Sequence, residues 1–139
     1  MRVRTLCWLL LAVLAIGCGS GDDYDRVAIS GEVNFAGQAL PNGSILLQPL
    51  ASGPSVGGDI TDGQFEIERA RGPAPGSYRV EIISYQPTGR QIPDADRPGT
   101  TVDEMVQVIP ESYNDNSQVV IEIAADGENH FDFAIEGAR

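Results

Sequence analysis

The sequence predicts an all-β domain, an antiparallel β-sandwich of about seven strands. Apolar residues recur at every second position from Val27 onward, which is the periodicity of strands with one buried face. Glycine, proline, asparagine and aspartate separate these stretches, and they are the residues that form turns. No stretch after residue 17 has the spacing of an amphipathic helix. Because a sheet face of this size must be covered, we expect two packed layers.

Turn residues separate the expected strands along the chain. Asp62-Gly63 lies between two short alternating stretches and predicts a tight hairpin, since primed turns require positive φ. Asp126-Gly127 predicts the turn of a final hairpin in the same way. The expected strands are residues 27–35, 44–48, 58–61, 64–68, 77–85, 105–109, 118–124 and 130–135.

The first residues of the chain predict export and a lipid anchor. Arg2 and Arg4 precede an uncharged run that ends at Gly17 and is too short to span a bilayer, which needs roughly 20 apolar residues. The sequence LAIGC, ending at Cys18, resembles a lipobox, with Ala15 where leucine is commonest. We expect a lipoprotein signal peptide (1–17), a lipidated Cys18 with a flexible tether (18–26) and a β-sandwich domain (27–139). An ordinary cleaved signal is the alternative.

The charge of the chain excludes one class of partner. Twenty acidic residues stand against nine basic ones. Cleavage after residue 17 would leave seven basic residues and a net charge of −13. Such a surface repels phosphates, so we expect no nucleic-acid partner. Cleavage would also remove Cys7 and leave one cysteine, which permits no internal disulfide.

Several motifs in order resemble the carboxypeptidase regulatory-like domain, a transthyretin-like β-sandwich. They are a glycine-centred first strand, a Leu-Pro-x-Gly turn, a Thr-Asp-Gly-x-Phe hairpin one residue shorter than the family pattern, and a Gly-x-Tyr strand entry. The resemblance implies a transthyretin-like or immunoglobulin-like fold and no catalytic chemistry, because this domain is an accessory in carboxypeptidases. It suggests that Tyr78 is a buried corner residue. The matching residues are Gly31, Leu40, Pro41, Gly43, Thr61, Asp62, Gly63, Phe65, Gly76 and Tyr78.

The stretch of residues 86–104 is the candidate ligand or partner site. It contains Pro, Gly and Asp throughout and has no periodicity, so we expect a long loop, and loops of this length are usually functional or disordered. Its carboxylates, Asp94, Asp96, Asp103 and Glu104, are of the kind that binds Ca²⁺, but they lack any recognised calcium-loop spacing. We therefore predict no metal ligand and no cofactor, and calcium binding by these carboxylates is the alternative.

Two tyrosines complete the candidate site. Tyr85 precedes the expected loop, and Tyr113 lies in the stretch of residues 109–115, which we expect to dock on the sandwich. Each could stack on a ligand or pack at the rim of the core.

His130 is the only histidine in the chain. Histidine catalysis needs a nucleophile or an orienting acid within reach, and the local sequence indicates neither. We interpret His130 as a surface residue and predict no catalytic residue. The sequence thus favours a non-enzymatic, lipid-anchored module of the cell envelope, at the outer membrane or the periplasmic face, with a structural or protein-interaction role. The alternatives are a module that binds glycans or small ligands and a hydrolase with an unrecognised site.

Overall fold

The computed structural model describes residues 25–137, and strands form most of this part of the chain. Two short 3₁₀ turns, Arg69–Arg71 and Glu111–Tyr113, are the helical elements of the described residues. The ten strands are β1 (Ile29–Phe35), β2 (Gln38–Ala39), β3 (Asn42–Pro49), β4 (Val56–Thr61), β5 (Gln64–Ile67), β6 (Gly76–Ile83), β7 (Tyr85–Pro93), β8 (Thr101–Gln107), β9 (Val120–Ile123) and β10 (His130–Ile135).

The main sheet has the strand order β10-β1-β5-β4-β3-β6-β9, and β2 pairs with β1. The β4–β5 hairpin joins its two halves through only two residue pairs, whereas β3 and β4 pair over six. The sheet curls at this hairpin, so β10-β1-β5 and β4-β3-β6-β9 enclose one hydrophobic core. This confirms the predicted all-β sandwich. Seven strands form its path, and β2, β7 and β8 are additional.

The predicted alternation places the core side chains. In β1, Ile29 and Val33 are buried while Glu32 is exposed, and β3 and β6 follow the same rule. Tyr78 is 4 % exposed, so its ring belongs to the core, as the resemblance suggested. Burial of each large apolar side chain stabilises the fold by about 1.5–3 kcal/mol. The fully buried side chains include Ile29, Val33, Leu40, Ile45, Leu47, Ile60, Ile67, Val80, Ile82, Ile123 and Ile135.

The Asp62-Gly63 turn is confirmed as the tip of the β4–β5 hairpin. Both residues have positive φ, 50° and 78°. This is the combination that a two-residue primed turn requires. Asp62-Gly63 therefore specifies the tight connection between β4 and β5.

The expected final hairpin is wrong. β9 pairs with β6, whereas β10 pairs in parallel with β1, with Ser30 opposite His130 and Val33 opposite Phe133. The chain around Gly127, whose φ is 99°, crosses from one half of the sandwich to the other. Asn129 braces this crossing, because its side chain accepts a hydrogen bond from the Ala124 amide and donates one to the Ala124 carbonyl. A turn residue marks a change of direction and does not identify the partner strand.

The long loop expected at residues 86–104 is also wrong. These residues belong mostly to β7 and β8, which pair antiparallel as a separate two-stranded sheet. A bulge between Pro87 and Gln91 interrupts the alternation in β7. Prolines are tolerated here because each strand of a two-stranded ribbon has one free edge. The irregular part of this stretch is limited to the tip of the ribbon, residues 94–100.

The expected signal peptide, Cys18 and the tether up to residue 24 lie outside the described residues. Within the described residues, no helix is long and apolar enough to cross a membrane.

Candidate functional site: the β7–β8 arm

The ribbon of β7 and β8, residues 85–107, projects from the sandwich as an arm. It continues β6 after a single residue, Ser84, which is 1 % exposed and donates its hydroxyl hydrogen bond to the Asn42 carbonyl at 2.7 Å. The Gln107 side-chain oxygen accepts two backbone hydrogen bonds, from Ser84 and from Ile109, each at 3.0 Å. The Val108 amide donates to the Ser84 carbonyl at 3.0 Å. The base of the arm is thus firmly joined to the core.

Beyond its base, the arm is open to solvent. Nineteen of its 23 residues are exposed and none is buried. Seven large hydrophobic side chains are exposed in the described part of the chain, and five of them lie on this arm. They are Tyr85, Ile92, Val102, Met105 and Val106.

The strand register divides these side chains between two faces. Residues directly opposite each other in an antiparallel pair point to the same side, and successive residues alternate. One face carries Tyr85, Pro87 and Met105, since Pro87 pairs with Met105. We call it the tyrosine face. Tyr85 is 55 % exposed and Met105 is 50 % exposed, so an apolar patch lies near the base of the arm.

The opposite face, which we call the valine face, comprises Ile92, Val102 and Val106 with an ion pair between them. Ile92 pairs with Val102, and Val106 lies four residues along the same strand. The Arg90 guanidinium donates two hydrogen bonds to Glu104, one of them from Nε at 2.7 Å. This ion pair could not be predicted from the sequence, because only the strand register brings its two partners together.

The ion pair changes the protonation of both its members. The Arg90 guanidinium lowers the pKa of Glu104 below its ordinary value, and the Thr88 hydroxyl, which donates at 2.6 Å, adds to the effect. The hydrogen bond to Glu104 raises the pKa of Arg90. Both groups stay charged throughout the physiological pH range.

The tip of the arm is a closed turn built by Asp94. Its carboxylate accepts a hydrogen bond from the Asp96 amide at 2.9 Å and one from the Thr100 hydroxyl at 3.4 Å. The Thr100 amide donates to the Arg97 carbonyl, and the Asp94 amide donates to the Thr100 carbonyl. Asp94 therefore has a structural role in shaping the turn.

The structure brings five of the six predicted site residues onto the arm but does not gather them at one point. Asp94 and Asp96 are at the tip, and Asp103 accepts from Gln91 on the tyrosine face, whereas Glu104 is on the valine face. No group of three potential metal-ligating side chains occurs among residues 25–137.

Tyr113 lies apart from the arm. It is half-buried in the 3₁₀ turn Glu111–Tyr113 and packs against the core. The expected docking of this stretch is confirmed, because Ile109 is 3 % exposed and the buried Asn114 side chain donates to its carbonyl at 3.0 Å. Tyr85 is exposed and Tyr113 is packed, so the two do not form a stacking platform.

A second cluster involves His130, which has two polar neighbours that were not predicted from the sequence. Ser30 Oγ lies 3.1 Å from Nδ1, and Asp132 Oδ1 lies 3.1 Å from Nε2. Asp132 could have been found from alternation in β10, which places residues 130 and 132 on one face. Ser30 becomes a neighbour only through the parallel pairing of β1 with β10.

This cluster contains a nucleophile, a base and an acid, but it lies on an open sheet face. His130 and Asp132 are 46 % and 67 % exposed, and Ser30 and His130 border a shallow groove of about 610 Å³. Acyl transfer also needs donors directed at the developing oxyanion. The β1 backbone around Ser30 is paired on both sides, with β10 and β5, so its amides are engaged in the hydrogen bonds of the sheet. The arrangement can exchange protons but offers little transition-state stabilisation.

Comparison with known proteins finds no relative of this chain. The chain matches no protein-family model, no curated protein and no solved structure. The choice among functions therefore depends on the residues and geometry of the chain itself.

Proposed function

We propose that this protein is a lipid-anchored, non-enzymatic module of the cell envelope, which contacts another protein through its β7–β8 arm. The observation that carries the proposal is an ordered ribbon with apolar side chains on both faces and no covering layer within residues 25–137. The sandwich serves as the scaffold that holds this ribbon away from its own surface.

Physical considerations support a binding role for the arm. An isolated two-stranded ribbon is at best marginally stable in water, and contiguous exposed apolar surface usually marks an interaction site. The base of the arm partly offsets this marginal stability, because Gln107 and Ser84 join the ribbon to the core. A partner that covered either face would remove apolar surface from water and stabilise the ribbon further.

The lipid anchor is supported by the lipobox-like sequence ending at Cys18. Acyl chains contribute about 0.8 kcal/mol per buried methylene, and two or more chains hold a protein firmly on a membrane. Residues 19–24 would connect the anchor to the sandwich, and their glycines, serine and aspartates suit a flexible, hydrated tether.

Membership of the carboxypeptidase regulatory-like group is part of the proposal. Its support is that the motif residues occupy turn and core positions of a sandwich. Leu40 is fully buried, Phe65 is 3 % exposed, and Asp62-Gly63 forms a primed turn. These are structural roles, in keeping with a scaffold domain.

Site-specific photo-crosslinking tests the proposal in the native host. A photoreactive residue at Val102 or Met105 of the full chain should give crosslinked species that contain an envelope protein. The same residue at Leu50 or Val120 is the matched control, since these apolar side chains are 59 % and 54 % exposed outside the arm. Equal crosslinking at arm and control positions would refute the proposal.

A hydrolase centred on Ser30 is the second candidate function, and the neighbouring His130 and Asp132 favour it. The measurement is hydrolysis of an activated ester by the full chain, with Ser30→Ala as the control. A rate that Ser30→Ala abolishes would support the hydrolase, and equal rates would eliminate it.

A further inference from the structure

We propose that the valine face of the arm pairs with the same face of a second copy of this chain. This inference rests on the proposed function, in which the arm contacts a protein, and it names that protein. The pairing would be isologous, with a twofold axis that runs along the strands and passes between Arg90 on β7 and Glu104 on β8.

The valine face has the symmetry that such a pairing needs. Along β8 it presents Val102, then Glu104, then Val106, so one charged position stands between two apolar ones. Ile92 widens the apolar patch beside Val102. All three apolar side chains are between 39 % and 47 % exposed. A twofold axis that runs along the strands, between β7 and β8, places Val102 of one copy opposite Ile92 of the other.

The charges on this face are also self-complementary. Arg90 lies over Glu104, with side-chain exposures of 73 % and 25 %. An isologous contact about this axis would bring the outward guanidinium of each copy next to the carboxylate of the other, because the axis places β7 of one copy opposite β8 of its partner. Two ion pairs would then become one alternating cluster of four charges. A partner with a uniformly charged surface would not match this neutral centre.

The size of the face predicts a weak dimer. A strand of nine residues is roughly 30 Å long and two strands are roughly 10 Å wide, which gives roughly 300 Å² for each copy. Stable complexes bury about 800 Å² for each partner. The pairing would therefore need the high local concentration that a shared membrane surface provides. The acidic sandwiches would repel each other and oppose wider contact.

Charge exchange between two variants tests the pairing. Glu104→Arg alone would put four arginines at the twofold axis, and Arg90→Glu alone would put four glutamates there. Since apposed like charges cost several kcal/mol, each variant should dimerise about a hundredfold more weakly than the wild type. An equal mixture of the two should form heterodimers as tightly as the wild type, because arginines of one chain then face glutamates of the other.

The measurement is resonance energy transfer between donor-labelled and acceptor-labelled copies of the full chain in liposomes, over a series of protein-to-lipid ratios. The double variant Arg90→Glu/Glu104→Arg keeps the pair within the arm and should dimerise like the wild type, which covers the case in which single variants misfold. Leu50→Arg, outside the arm, should have no effect.

Three results would overturn the pairing. They are a wild-type chain that stays monomeric over the whole series, single variants that associate as strongly as the wild type, and a mixture that associates no better than its components. If the chain is monomeric while Val102 crosslinks to a different envelope protein, the pairing fails and the proposed function stands.

Discussion

Replacing Gln107 with alanine should loosen the base of the arm. The Gln107 side-chain oxygen is the acceptor for the Ser84 and Ile109 amides, and these residues are 1 % and 3 % exposed. An unsatisfied buried donor costs about 1–3 kcal/mol, so two would cost about 2–6 kcal/mol without relief. Because Gln107 is half-buried, water can reach part of the vacated space, and we expect a loss of about 2–3 kcal/mol, at the lower end of that range.

Two matched variants separate this effect from a general response to mutation. Gln107→Glu keeps an oxygen acceptor at the same place and should retain most of the stability. Gln91→Ala removes an exposed glutamine from the same arm, and such surface changes are usually within about 0.5 kcal/mol. Urea unfolding followed by circular dichroism measures the free energy of unfolding, and hydrogen exchange measures the protection of the two amides. Unchanged stability and unchanged protection in Gln107→Ala would show that this side chain does not hold the base of the arm.

Two further predictions concern the β1–β10 pairing and the ion pair. Gly31→Ala should lower the free energy of unfolding by about 2 kcal/mol, since an added Cβ would lie 1.8 Å from the Phe131 carbonyl oxygen and overpacking costs about 1–3 kcal/mol. Gly57→Ala, whose Cβ would come no closer than 3.3 Å, is the control in urea unfolding, and an equal loss in both would contradict the pairing. The lowered pKa of Glu104 implies stabilisation of the arm that is complete above the ordinary pKa of glutamate and disappears as the pH falls through the lowered value. Hydrogen exchange in the arm should show this acid loss in the wild type and not in Glu104→Gln, and a loss near neutral pH would contradict the assignment to Arg90 and Glu104.

The sandwich could be predicted from the sequence because its determinants are local. Alternation in β1, β3 and β6 specifies one buried face, and Asp62-Gly63 can form little but a tight turn. These signals depend on residues within a few positions of each other. These signals can be recognised without knowing which strands become neighbours.

The pairing of β10 with β1 could not be predicted, since it joins residues about 100 positions apart. Ser30 and His130 each look unremarkable in the sequence, and only this parallel register places them 3.1 Å apart. The turn at Gly127 suggested the nearest strand as the partner, but the chain uses it to cross the sandwich.

The arm could not be predicted from the sequence for a different reason. The bulge between Pro87 and Gln91 breaks the two-residue period of β7. Both faces of the arm are exposed, so no apolar stripe marks β7 as a strand. The acidic residues predicted as a site do lie on the arm, yet their separation among tip and faces follows from the register. The apolar residues Ile92 and Val102 were missed, because isolated hydrophobic residues in a polar stretch carry no signal without the pairing, whereas Val106 lay in an expected strand whose partner was unknown.

Nuclear Overhauser contacts within the arm of the isotopically labelled full chain test most directly whether residues 85–107 form an ordered ribbon. The structure predicts cross-strand contacts between Ile92 and Val102 and between Gln86 and Val106, with slow exchange of the Ser84 amide at the base. Random-coil chemical shifts across residues 86–104, without those contacts, would show that these residues do not form a ribbon.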